Sequence, residues 1–543
     1  MYINSKKAPN TLGTLEEIAR TEGISGIYCA TTNGRLRELT YVIKKKNIDS
    51  MEINFLDLTN EHAHQIYQST LRYLLSYAIY RIDPSLSLKI SYSISRSLLC
   101  TLENIKISDE FLARIHDELA AIISADYQIK RVNTEKDKAI RIYQEQGFFD
   151  KIDILQYREE TVVNLYECNG FYNYVYNYML PSTGYIKEYN MFIYGPGFLV
   201  QYPRAEYGGH IPAFEDAPVF SSALKESSKW GRITKGNTIA RMNEYATNDF
   251  CDDFVNLCET RHNDMLCHLG DTILAQKDEI RLICIAGPSS SGKTTFCKRV
   301  KIELMARGLN PIMISIDDYY LERHLVPKDE NGKEDLEHIE ALDIKQFNTD
   351  MYNLINGKEV TLPRFNFKLG KREAGETIKI TEDNPILIEG IHALNNRLTN
   401  LIPMHQKFRI YIAPQTSLHI DNHSPISITD LRLIRRMVRD QQFRGASAED
   451  TINMWPSVRA GEFKWIYPYQ EQANLVFNSE LSYELNVLKK HALKSLQLIK
   501  DDSPYFITAN RLIKFLKYFS DIDDDLVPAN SLLREFIGGS NFR

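Results

Sequence analysis

From residue 281 onward the chain alternates two hydrophobic patterns. Short apolar-rich runs occur at 281–286, 312–316, 385–388 and 408–412, and stretches with helical spacing separate them. Apolar runs of this length suit strands buried on both faces of a parallel sheet. Their alternation with helices predicts an α/β domain over 273–500. The front half is patterned differently. Ile66, Leu71, Leu74, Leu75, Ala78 and Ile79 recur at helical spacing, and Asp83-Pro84 ends that helix. Residues 109–123 form a second amphipathic pattern, and 88–92 alternates like a strand. The Tyr- and Asn-rich stretch 166–178 suits strands and turns, and Pro181, Gly184, Gly195-Pro196-Gly197 and Gly208-Gly209 punctuate the segment 181–209. In the first 58 residues Thr14 predicts a helix cap with Glu16 and Glu17 in the first turn. Residues 26–30 and 37–43 predict strands joined at Asn33-Gly34, and 53–58 a closing strand. The expected units are 1–58, 60–225, a helical connector at 226–272, 273–500, and a helical tail at 501–543.

The length of 543 residues fits about three to four domains. Lys and Arg total 65 against 71 Asp and Glu, a net charge of −6, so no chain-wide basic character points to nucleic acid. Eight scattered cysteines form no CxxC pair, which argues for a reducing compartment. The N-terminus has no secretory pattern, and no run of about 18 apolar residues suggests a membrane span. A cytoplasmic, soluble, multidomain protein is expected.

The strongest chemical signal comes directly after the first apolar run. Gly287-Pro288-Ser289-Ser290-Ser291-Gly292-Lys293-Thr294-Thr295 fits GxxxxGK[ST], and a helical pattern succeeds it. Such a loop wraps phosphate oxygens with backbone amides at a helix N-terminus. Lys293 reaches the outer phosphates, and the Thr294 hydroxyl suits Mg²⁺. The second apolar run ends in Asp317-Asp318-Tyr319-Tyr320 and the third in Glu389-Gly390. In open α/β sheets ligands sit beyond the carboxyl ends of the strands. Asp317 is therefore placed to accept a hydroxyl proton or help hold Mg²⁺, and Glu389 to contact metal or water. Downstream, Arg432, Arg436 and Arg439 share one helix stripe, with Arg444 beyond them. In a chain with a phosphate loop, that stripe predicts a lid closing on phosphates.

Together these segments resemble the uridine kinase and phosphoribulokinase family of P-loop kinases over residues 280–480. The resemblance rests on 287–295, 315–320, 335–343, 362–372, 388–394 and 432–444. It implies an ATP-dependent, Mg²⁺-using nucleoside kinase in which Asp317 is the catalytic base and Lys293, Arg436 and Arg439 neutralise charge at the phosphates. Arg444 joins the ATP contacts. Glu337, Tyr320, Phe365 and Arg372 contact the nucleoside acceptor, and Thr294, Asp317 and Glu389 hold Mg²⁺. Phe365 stands where uridine kinases have Tyr, Gly370 where they have a base-contacting His, and Ala446 where they have a further lid arginine.

The front half carries its own resemblance. Residues 1–58 are similar to the TGS-type ubiquitin-like module of threonyl-tRNA synthetase, without its first hairpin. Residues 60–225 resemble that enzyme's second additional, editing-type domain. That domain uses an HxxxH helix and a Cys/His pair around a metal. Here the helix reads Ile66-Tyr67-Gln68-Ser69-Thr70-Leu71, and His62 and His64 are two apart. A zinc hydrolase is therefore not expected. Cys251, Cys258, His262, Cys267 and His268 read as an apolar helix face, since their spacing fits no zinc knuckle. The whole order, with the ending 532–540, resembles bacterial fused nucleoside kinases. The expected class is an α/β P-loop kinase domain with a parallel sheet, preceded by a small ubiquitin-like α+β module and an α+β editing-like domain. Expected partners are a nucleoside and a second copy of the chain, with nucleic acid reached only through the front modules and no membrane. Two other readings stay open: a kinase of another sugar or phosphosugar, and an RNA-linked protein using the P-loop as a nucleotide switch.

Overall fold

The computed structural model describes residues 1–44, 49–328, 332, 334–366 and 369–542. Phe367 and Lys368, within the sequence motif 362–372, lie outside the described residues.

Among the described residues the back half carries a five-stranded sheet. Its order is Ile312–Ser315, Ile386–Glu389, Leu282–Ala286, Lys407–Ala413 and Leu475–Asn478, all parallel. The last of these strands lies outside the four expected apolar runs. Leu282 pairs across to Ile386 on one side and Lys407 on the other. Successive side chains of a strand point to opposite faces, and the central strand feeds two cores. Leu282, Cys284 and Ala286 pack with Ile314, Phe347 and Ile388. Ile283 and Ile285 pack with Phe296, Val300 and Ile410.

The second core reaches beyond the sheet's own helices. It takes in Ile239 and Met242 from helix Ile239–Thr247 and Phe254 from helix Cys251–Leu274. It also takes in Leu532, Leu533 and Phe536 from the end of the chain. The connector and the tail thus share one apolar interior with the phosphate loop's helix.

At the other end, a mixed sheet runs Lys6–Lys7, Tyr2–Ile3, Glu52–Leu56, Cys29–Thr32 and Arg35–Arg37. Tyr2–Ile3 lies parallel to Glu52–Leu56. The hairpin expected to be missing is present, pairing Tyr2 with Lys7. Its strands are two residues each, too short for an alternating pattern to register. The expected strand 37–43 is split between Arg35–Arg37 and Val42–Ile43, with Leu39 buried between them. Asn33 and Gly34 both take positive φ, 47° and 73°, the geometry of a type I′ hairpin turn. Thr14 forms a full capping box with Glu17 at the start of helix Leu15–Thr21.

Helix Glu61–Ile82 packs on a four-stranded sheet, in the order Asn190–Tyr194, Gly197–Gln201, Ser97–Leu102 and Leu88–Ile94. Cys29 shares this core, so the first two units meet through apolar contact. The back half grips the front half through the short hairpin His419–Asp421 and Ser424–Pro425. Lys151 pairs with Asp421 at 2.7 Å, both fully enclosed. The Ile90 amide donates to the Asn422 carbonyl at 2.7 Å, and Arg72 Nη1 to the His423 carbonyl at 3.2 Å. Among the described residues no helix is long and apolar enough to cross a membrane.

Candidate functional site

The phosphate loop starts where strand Leu282–Ala286 ends. Gly287 has no room for a side chain: an added Cβ would lie 2.0 Å from the Ile412 carbonyl oxygen on the next strand. Ser290 at φ 60° and Gly292 at φ 88° bend the loop, and helix Lys293–Met305 begins at once. First-turn amides have no partner inside a helix, so this end presents a row of donors. Lys293 Nζ donates to the Gly287 and Pro288 carbonyls at 3.0 and 3.1 Å. Burial lowers its pKa, while Glu389, Glu535 and Asp317 pull the other way.

The carboxylates gather at the same edge. Asp317 lies just past strand Ile312–Ser315 in a short 3-10 turn, Ile316–Tyr319. Its side chain is exposed at this edge, yet the protein around it raises its pKa despite the Lys293 charge. Glu389 ends its strand and accepts from Thr294 Oγ1 at 3.2 Å. Burial, then Asp317, raises its pKa to about 7.

Glu337 sits on a loop under helix Ala448–Trp465. Burial, then Glu462, raises its pKa to about 7. Its carbonyl accepts from His392 Nε2 at 3.0 Å. Gly461 makes the approach possible: a Cβ there would sit 2.7 Å from Glu337 Cβ. Tyr320 donates its hydroxyl to the Leu336 carbonyl at 3.0 Å, and its ring centre is 5.9 Å from that of Phe365. Phe365 pairs with Arg372 across the hairpin Val360–Asn366 and Lys371–Ile378. The Arg372 guanidinium is held by Gln346 at 2.8 Å and Asp343 at 3.1 Å. Gly370 turns this hairpin at φ 63°.

The arginine stripe corrects the sequence reading. Helix Ile428–Arg444 is not a solvent-facing lid along its length. Arg432 is 1% exposed, bonded through Nε to the Ser289 carbonyl at 3.0 Å and through both Nη atoms to Glu462. It clamps the loop from inside. Arg436 Nη1 donates to Ser289 Oγ at 2.6 Å. Arg439 and Arg444 reach Asp440, at 2.7 and 3.5 Å. The stripe therefore splits: Arg432 is structural, and Arg436, Arg439 and Arg444 meet at Asp440 above the loop.

Four participants left no clear sequence signal. Glu462 accepts the Ser289 amide at 3.2 Å. Arg435 is fully buried, pairs with Glu484 and donates to the Ser290 carbonyl at 3.4 Å. Asp440 is the shared partner of the lid arginines. Glu535, near the chain's end, accepts the Thr295 amide at 3.0 Å. Only the short apolar run around Leu532, Leu533 and Phe536 hinted that the last segment packs inward. Elsewhere, Cys258 and His262 lie buried on helix Cys251–Leu274, where His262 Nε2 donates to the Glu480 carbonyl at 2.9 Å.

Residues 282–484 match the Phosphoribulokinase / Uridine kinase family. The uridine kinase of Borrelia duttonii is 30% identical over 236 residues, 42% of this chain and 100% of that protein. The uridine kinase of Halalkalibacterium halodurans is 27% identical over 218 residues, 39% of this chain and 94% of its own length. That of Staphylococcus epidermidis is 28% identical over 201 residues, 37% of this chain and 87% of its own.

Proposed function

The chain belongs to the phosphoribulokinase and uridine kinase family through its back half, and from that premise we propose that it transfers the γ-phosphoryl group of ATP to the 5′-hydroxyl of a nucleoside. The observation that carries this reading is the convergence at one sheet edge. Asp317, Glu389 and Lys293 act on one another electrostatically, with Glu337 beyond them. In this reading the loop amides and Lys293 hold the donor's phosphates. Arg436 and Arg439 supply positive charge where it develops on the transferring group. Asp317 accepts the proton from the attacking hydroxyl, and its raised pKa makes it a better base than an ordinary carboxylate. Glu337 accepts hydrogen bonds from ribose hydroxyls, and Tyr320 with Phe365 provides an aromatic wall beside it.

The family implies Mg²⁺ with the nucleotide. The donor set fits: the Thr294 hydroxyl and the Glu389 carboxylate are 3.2 Å apart, with Asp317 beside them. Among the described residues no group of three or more His, Cys, Asp or Glu could hold a metal ion. When bound, Mg²⁺ would neutralise charge on the phosphates.

We read residues 1–58 as a ubiquitin-like module and 60–225 as an editing-like domain. The mixed sheet with parallel Tyr2–Ile3 and Glu52–Leu56 supports the first. A panel of nucleosides, riboses and phosphosugars with ATP and Mg²⁺, read for ADP release, tests the function. Acceptor-dependent ADP release with a nucleoside is expected. Turnover only with a phosphosugar would replace the nucleoside, and none with any acceptor would overturn the kinase reading.

A further inference from the structure

The last residues of the chain reach the phosphate cradle. Glu535 Oε2 accepts the Thr295 backbone amide at 3.0 Å, across 240 positions of sequence. That amide belongs to the first turn of helix Lys293–Met305, one of the donors a phosphate would use. Leu532 lies against the loop itself. A Cβ on Gly292 would be 2.6 Å from Leu532 Cδ2, so loop and tail are in close contact.

The tail is fixed in this position. Leu532, Leu533 and Phe536 are fully buried. Ser531 Oγ and Tyr483 Oη both donate to Glu259 Oε1, at 2.5 and 2.6 Å. Arg534 holds the preceding loop through the Asp524 carbonyl at 2.8 Å and the Val527 carbonyl at 3.1 Å. The Phe536 ring packs under the Arg435 guanidinium, 5.0 Å from its centre, and Arg435 itself braces the Ser290 carbonyl. The Glu535 charge is also felt by Lys293, Glu389 and Arg444, the groups assigned to the nucleotide.

We propose that Glu535 is an internal competitor for the phosphate cradle: its carboxylate occupies the Thr295 amide and must leave before a nucleotide phosphate can take that place. This rests on the loop's being the nucleotide site. One amide hydrogen cannot serve two anions at full strength, and a carboxylate and a phosphate at the same helix end repel. The apparent affinity for nucleotide is therefore lowered by the fraction of molecules in which Glu535 is docked. The packed tail keeps that carboxylate at high local concentration.

The test is direct titration of ATP and ADP, by calorimetry, into the full-length wild type, Glu535→Gln and Glu535→Ala, with Lys293→Ala as a control. Couplings of this kind are worth about 5- to 150-fold. Both Glu535 variants are expected to bind ATP and ADP at least about fivefold more tightly than the wild type. Unchanged affinity, with only a lower unfolding temperature, would make Glu535 a plain helix cap and overturn the proposal. Weaker binding in both variants would make it a nucleotide ligand and overturn it too. If the loop is not the nucleotide site at all, the failure looks different: Lys293→Ala then binds ATP as the wild type does.

Discussion

Glu462 Oε1 accepts the backbone amide of Ser289 at 3.2 Å, from 173 residues away. Arg432 takes the carbonyl of the same Ser289, and Arg436 its hydroxyl. All three polar groups of one loop residue are thus held by two neighbouring helices. Arg432 and Arg459 outweigh the effect of burial on Glu462 and lower its pKa, keeping it ionised.

Removing that charge should therefore be costly. Glu462→Gln leaves the enclosed Arg432 guanidinium without its counter-ion. Breaking a buried pair typically costs about 3–5 kcal/mol. A clear fall in the denaturation midpoint is expected, together with a raised KM for ATP as the loop loosens. A variant as stable as the wild type would show the network to be incidental.

Lys293→Ala should fold normally, because the Lys293 ammonium bonds to the loop carbonyls of Gly287 and Pro288 and not to the core. Turnover should fall by about 10²-fold or more, the scale of losing one preorganised charge contact. Circular dichroism and steady-state kinetics check the two halves. Turnover within twofold of wild type would contradict the role given to this loop.

Asp317→Asn keeps the shape of the side chain and removes proton acceptance. General-base removal costs about 10²–10⁴ in rate. The loss should fall in kcat, with KM for the acceptor little changed. A loss confined to KM would make Asp317 a binding group.

Glu337 predicts a pH dependence. Its folded pKa of about 7 lies above the ordinary carboxyl value, so it is largely protonated below neutrality. A neutral acid is a weaker acceptor for ribose hydroxyls than a carboxylate. The kcat/KM for acceptor should therefore climb as pH rises through about 7. Glu337→Gln should flatten that limb and raise the acceptor KM, by about 1–3 kcal/mol in binding. An unaltered limb would assign it to another group.

Gly461→Ala forces a Cβ to within 2.7 Å of Glu337 Cβ, so the loop must move. The expected result is a raised acceptor KM with the ATP KM preserved. Equal effects on both substrates would mean the whole helix had shifted.

The sequence by itself determined whatever a few adjacent residues decide. The phosphate loop, its strand and its helix lie within 282–305, and local backbone chemistry specifies them. The apolar runs marked four of the five sheet strands, because a strand covered on both faces favours apolar residues along most of its length. Asp317 and Glu389 were legible as strand ends. The tertiary structure decided what required distant segments to meet. Spacing aligned Arg432 with Arg436 and Arg439, but only helix Ala448–Trp465, supplying Glu462, turned Arg432 inward. Glu535 lies 240 positions from its amide, and nothing local to either could announce the contact. A charge's role depends on its neighbours' charges and on the water left around it, and both are fixed only when the chain is folded.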